Sequence, residues 1–187
     1  MKSIYAVVLM LALTACTSAT ATPASETKIP PTSYSNNSFE ITSAAFANGG
    51  TIPDIYSCKG INISPPLTWM NAPKDTQSFT LIMDDPDAPG GTWVHWVLFN
   101  IPASVHELPE NIPANDQLQD GSIQGVTSSG RGYHGPCPPS GTHHYHFKLY
   151  ALDTILSLDA KANKEQILSA MENHILGNTE MLGLFGN

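Results

Sequence analysis

Apolar positions along this chain change their spacing several times, and each change marks an element. Ser78 to Met83 is a short, nearly unbroken apolar run that leads straight into Asp85-Pro86-Asp87-Ala88-Pro89. A run of that length bounded by turn-forming residues predicts a buried strand. Trp93 to Ile101 repeats the pattern over nine residues, with His95 inside it and Pro102 behind it. His143 to Leu152 predicts another strand, and Phe39 to Ala47 an earlier one stopped by Asn48-Gly49-Gly50. From Lys164 to Leu176 the spacing changes. Ile167, Leu168, Met171, Ile175 and Leu176 recur three or four apart, the signature of an amphipathic helix. Asn163 is its expected N-cap and Gly177 its expected stop. Thr179 to Phe185 is expected to close the fold as a last short strand. The class is mainly β with one helix near the C-terminus.

Strand parity then gathers chemistry. Side chains alternate faces along a strand, which places Trp93, His95, Val97, Phe99 and Ile101 together, and likewise His143, Tyr145, Phe147, Leu149 and Ala151. Both faces are polar near the strand start and apolar beyond it, as a cavity mouth above a hydrophobic floor would be. Asp85 lies in the proline-braced turn just past an apolar run. With these strands adjacent, Asp85, His95, His143 and Tyr145 converge. Two imidazoles and a phenol donate hydrogen bonds to a small phosphate or carboxylate, and a carboxylate fixes an imidazole tautomer. Pro136, Pro138 and Pro139 stiffen the preceding loop and lower the entropy of closing around a ligand.

The first segment follows other rules. Lys2, the short apolar run Ile4 to Leu13 and the small residues after it read as an export signal over residues 1–15, too short to span a bilayer, which takes ~20 apolar residues. Leu13-Thr14-Ala15-Cys16 reads as a lipobox, with the Cys16 thiol accepting the lipid. The alternative is an ordinary secretory signal that contains a cysteine. Thr17 follows the anchor rather than an aspartate, which in a Gram-negative cell directs the protein to the outer membrane, facing the periplasm. Residues 16–37 are rich in Ser, Thr, Ala, Pro and Asn and form a tether with an r.m.s. reach of about 25 Å. The folded domain is expected over 38–187.

Charge narrows the function. The chain carries eight basic and sixteen acidic residues, a formal −8 that becomes −9 once Lys2 leaves with the signal. Such a chain is a poor general partner for nucleic acid or anionic lipid surfaces, so any bound anion is held by local chemistry. Membrane contact is expected through the lipid on Cys16 only. With Cys16 lipidated, Cys58 and Cys137 remain in an exported protein as either a disulfide or two separately buried thiols.

Longer blocks carry a resemblance. Asn62-Ile63-Ser64-Pro65-Pro66-Leu67-Thr68-Trp69, Asp85 to Pro89, His95-Trp96, Gly132 to Gly141 and His143 to Asp153 stand in order over nearly the whole domain. The chain resembles the phosphatidylethanolamine-binding protein (PEBP) family, in particular its bacterial YbhB/YbcL branch, often labelled Raf-kinase-inhibitor-like. The resemblance implies a large antiparallel sheet packed on a smaller one with a C-terminal helix. It also implies an anion pocket of Asp85, His95, Pro138, Pro139, His143 and Tyr145, and a cis X-Pro bond such as Ala88-Pro89. Family members bind phosphate-like groups, and some inhibit kinases or proteases. The chain departs from eukaryotic relatives after Phe185, where no counterpart of their rim helix follows, and their kinase-binding surfaces are not identifiable.

Other readings compete. His134, Cys137, His143 and His146 have zinc-like spacing, but His143 and His146 differ by three in a strand and point to opposite faces. Asp85, His95 and His143 could serve a hydrolase or lyase as acid and base. Yet no nucleophile elbow, P-loop or paired-metal motif is present, so neither catalytic residue nor cofactor is assigned. A regulator or inhibitor of another protein is compatible with the pocket.

Overall fold

A computed structural model describes residues 38–186. The expected signal, Cys16 and the tether lie outside the described residues. In chain order the elements are β1 (Glu40–Thr42), β2 (Gly50–Thr51), β3 (Leu67–Met70), β4 (Ser78–Asp85), β5 (Trp93–Pro102), β6 (Glu107–Leu108), β7 (Ile123–Gln124), β8 (Val126–Thr127), β9 (Gly130–Arg131), β10 (Thr142–Leu152), α1 (Lys164–Met171) and β11 (Ile175–Gly186). Six strands form the main sheet in the order β2-β11-β10-β4-β5-β7, beside a three-stranded sheet β1-β3-β6 and a β8-β9 ribbon. The main sheet is antiparallel except at its edge, where β2 runs parallel to β11.

β4 explains the layering. All eight of its residues are buried, as expected of a central strand covered on both faces. Phe79, Leu81 and Met83 join Trp69 and Leu67 of the smaller sheet in the larger core. Ile82 faces the other way, into a second core with Ile167 and Met171 of α1. On that side Asp84 is 1% exposed and is paired by Lys148 and Lys164, fixing the start of α1 to the sheet.

Parity fails along β5. The β4–β5 register shifts twice, between Met83 and Asp84 and between Phe79 and Leu81. Each shift is a bulge, which inserts a residue and reverses the alternation. Hence Trp96, Leu98 and Ile101 belong to the larger core, whereas Val97 and Phe99 belong to the helix-side core. Asn100, at φ 55°, fills the second bulge and exchanges two hydrogen bonds with the Leu156 backbone, at 2.9 and 2.8 Å. The five residues expected on one face of β5 therefore do not share it. β10 keeps the expected alternation, with Tyr145, Phe147, Leu149 and Ala151 all in the larger core.

The helix is shorter than its spacing predicts. Asn163 caps it as expected: its side chain accepts from Gln166 N (2.9 Å) while the Gln166 side chain accepts from Asn163 N (3.0 Å). The helix stops at Met171, not Leu176, and Asn173 at φ 67° turns the chain. Ile175 and Leu176, which look like a continuation of the apolar stripe, instead begin a twelve-residue strand and are exposed. Pairing with β10 from end to end satisfies more backbone than another helical turn could. The first expected strand is likewise trimmed to Glu40–Thr42, because Ser43 binds Pro66 O and bends the chain.

Candidate ligand-binding pocket

Asp85 ends β4 and is 3% exposed. Its Oδ1 accepts from Asp87 N at 2.8 Å, closing a tight turn, and its Oδ2 accepts from His143 Nδ1 at 2.7 Å. Asp87 in turn accepts from His144 N and Nδ1 at 2.9 and 2.7 Å, which ties the turn to the start of β10. These bonds hold the His144-facing carboxylate of Asp87 below the usual carboxylate range. No cis peptide bond occurs among the described residues, so Ala88-Pro89 is trans, contrary to expectation. Asp85 and the positive-φ glycines Gly90 and Gly91 make the reversal instead.

His95 reaches the same place through the first bulge, which adds a residue between Val94 and Trp96. Its Nδ1 donates to His134 O at 2.6 Å, and His134 N donates back to His95 O at 2.9 Å. Burial pushes the imidazole below its ordinary pKa, while the His134 carbonyl and Asp85 pull it partly back. Tyr145 is fully buried between the two imidazoles, its ring 5.2 Å from that of His95 and 6.4 Å from that of His143. Burial, then Asp85, raises its phenol far above the ordinary value. The Cys137 backbone beside its oxygen pulls the phenol partly back, although no hydrogen bond of full geometry forms there within the described protein.

These four side chains line one cavity of about 360 Å³, with Pro138, Pro139, Ala88, Pro89 and Trp93 as its apolar wall. The loop carrying the wall is strapped to the segment after β2. Cys58 and Cys137 are joined by a disulfide, Tyr133 Oη donates to Tyr56 O, and Gly135 N donates to Asn62 Oδ1. The packing is so close that a Cβ on Gly135 would lie 2.2 Å from Tyr56 O.

The structure thus brings together all six residues singled out in the sequence. It adds Trp93 and Ser129, which sequence reasoning did not assign to a ligand site, and His134, which entered only through the zinc-like spacing. Trp93 had a signal in its place at a strand start next to the candidate turn, and the structure leaves it 42% accessible. His134 and Cys137 line the cavity, but not as a metal site. Cys137 is in the disulfide, His146 pairs with Glu180, and no metal-holding group of His, Cys, Asp or Glu exists among the described residues.

Comparison with known proteins agrees with this fold. A family model for phosphatidylethanolamine-binding protein matches residues 42–186. A UPF0098 protein of Methanothermobacter thermautotrophicus is 54% identical over 142 residues, covering 75% of this chain and 94% of its own. One from Pyrococcus abyssi is 46% identical over 148 residues, covering 76% and 83%. Among solved structures, a PEBP homologue of Chlamydia trachomatis superposes with a TM-score of 0.75 at 39% identity, covering 81% of this chain and 99% of its own. Escherichia coli YbcL, described as a member of the mammalian PEBP family, gives 0.74 at 34%, covering 80% and 98%. With the family model and these relatives matching nearly the whole domain, the chain belongs to the phosphatidylethanolamine-binding protein family.

Proposed function

We propose that this protein binds a small anion, of the phosphate or phosphoryl-headgroup class, in the Asp85–His95–His143–Tyr145 pocket, and that it does so in the cell envelope, anchored by lipid on Cys16. One observation carries the ligand reading: side chains from β4, β5 and β10, far apart in sequence, converge in one cavity under an apolar wall. The export signal in residues 1–15 and the disulfide, at home in an oxidising compartment, support the location. In a Gram-negative cell the anchor sits in the outer membrane and the domain faces the periplasm. The role is binding rather than turnover, in the service of regulating or inhibiting another envelope protein.

Inorganic phosphate should therefore raise the thermal midpoint. His95→Ala combined with His143→Ala should abolish the shift. Differential scanning fluorimetry reads both, and protection that survives the double substitution sinks the pocket assignment.

A further inference from the structure

The main sheet has a second end, away from the pocket. Asp85 closes β4 and His143 opens β10, but at the other end of that ladder Ser78 lies opposite Leu152, and Leu152 opposite Ile175. The eight residues of β4 hold the two ends roughly 25 Å apart. Ile155, Ile175 and Leu176 stand at the far end, 56, 44 and 39% exposed. Ile155 shares a groove with Leu156, Leu158, Ala170 and His174, and His174 leads directly into Ile175. Leu176 is thrust outward by the register shift that pairs Leu152 with Ile175 and Ala151 with Gly177, leaving it no partner in β10. None of the three belongs to either hydrophobic core, so folding does not require them to be apolar. A contiguous exposed apolar patch marks a contact surface.

The chain joins the domain beside this patch. Ser38 O accepts from Asn71 Nδ2 at 3.2 Å, and Phe39 stacks on Phe79 with ring centroids 6.0 Å apart. Ser78, next to Phe79, donates from Oγ to Thr154 O at 2.5 Å, and Thr154 lines the groove. A Cβ on Gly177 would lie 3.9 Å from the Phe39 ring. Residues 17–37 link this point to Cys16. A linker of that length keeps the patch at an effective concentration on the order of millimolar relative to whatever holds Cys16, so a weak contact is enough. The charges nearby select the surface. Asp153 pairs with His174 at 2.8 Å, Lys74 and Asp75 offset each other in the turn before β4, and Glu172 is exposed. With no basic cluster there, the patch fits a zwitterionic surface rather than an anionic one.

We propose that this end of the domain docks on the zwitterionic phospholipid bilayer to which Cys16 ties the chain. Ile155, Ile175 and Leu176 sink into the headgroup layer, and the pocket turns away from the membrane toward the aqueous space. The proposal rests on the lipid-anchor reading and adds a second membrane contact to the one expected through Cys16.

Tryptophan quenching by brominated lipid tests it. Full-length acylated protein is reconstituted in phosphatidylcholine vesicles whose acyl chains carry bromine near the headgroup. Trp69 and Trp96 are buried and Trp93 stands at the pocket mouth, so the wild-type protein should be quenched little. Ile155→Trp and, separately, Ile175→Trp should each be quenched at least about twofold more than wild type, as burial in the headgroup layer requires. Ile61→Trp, on the exposed segment strapped to the pocket loop, should match wild type. If neither far-end variant exceeds wild type, or if Ile61→Trp does so instead, the orientation falls while the anchor stands. Stronger quenching in anionic phosphatidylglycerol vesicles overturns the choice of surface. A blue shift of the Ile155→Trp emission that grows with protein concentration in detergent, without vesicles, gives the patch to a second copy of the chain and overturns the proposal. Absence of acyl mass on Cys16 removes the anchor and the orientation together.

Discussion

His95 has an energetic consequence apart from any ligand. An unfolded chain leaves its imidazole near a pKa of about 6.5, and burial in the folded state lowers it. Between the two values the unfolded state binds more protons, so stability rises with pH there and is lost on acidification. This is the reverse of a histidine that gains a carboxylate on folding. His95→Gln removes the titrating group, so wild type should lose stability relative to that variant between about pH 7.5 and about pH 5. Urea unfolding at the two pH values measures the difference, and parallel curves would refute the burial argument. Asp85 and Tyr145 were legible as candidates because their residue types sit where parity aims them at a strand end. His134 was not, because its contribution to His95 comes from its backbone, and side-chain identity says nothing about that.

Elements were legible wherever the local pattern and the tertiary pairing agree. β4, β5 and β10 are within two residues of their apolar runs at either end. The failures share a cause: local periodicity cannot see a partner strand. The β5 bulges arise from its ladder with β4, and the end of α1 is decided by the pairing of β11 with β10. That His95 still faces the pocket is owed to the first bulge rather than to simple alternation. The junction after α1 is itself testable. Asn173 holds a left-handed conformation at φ 67°. Asn173→Ala should cost about 1 kcal/mol, whereas Asn173→Gly should cost little or nothing. Removing the other end of the helix by Asn163→Ala, which deletes the capping box, should also cost about 1 kcal/mol. Chemical denaturation of the three variants ranks them. Equal stability of Asn173→Ala and Asn173→Gly would contradict the turn assignment.

At the scale of the molecule, one covalent bond and several hydrogen bonds hold the pocket loop against the segment after β2. The disulfide spans 79 residues of sequence. Closing so long a loop stabilises by roughly 4 kcal/mol in the chain-entropy view, which for a domain of this size shifts the midpoint by on the order of 10 °C. Cys58→Ala with Cys137→Ala should show that loss in a thermal melt yet keep some phosphate binding, because the Tyr133 and Gly135 hydrogen bonds still tether the loop. A melt unchanged by the pair would mean the bond adds nothing to the folded state.

The main sheet also sets an order in time. His143 and Tyr145 lie on β10, opposite Phe185 and Gly183 of β11. The near end of the chain joins the same edge: Gly49 N donates to Leu182 O, and Ile52 N to Leu184 O. A nascent chain emerging from the ribosome can assemble neither ladder until its final dozen residues are out. Pairings that join distant parts of a sequence are also slow to form. The candidate pocket is thus among the last features to appear. Under the proposed export, late closure of the sheet by β11 would supply the delay that translocation requires.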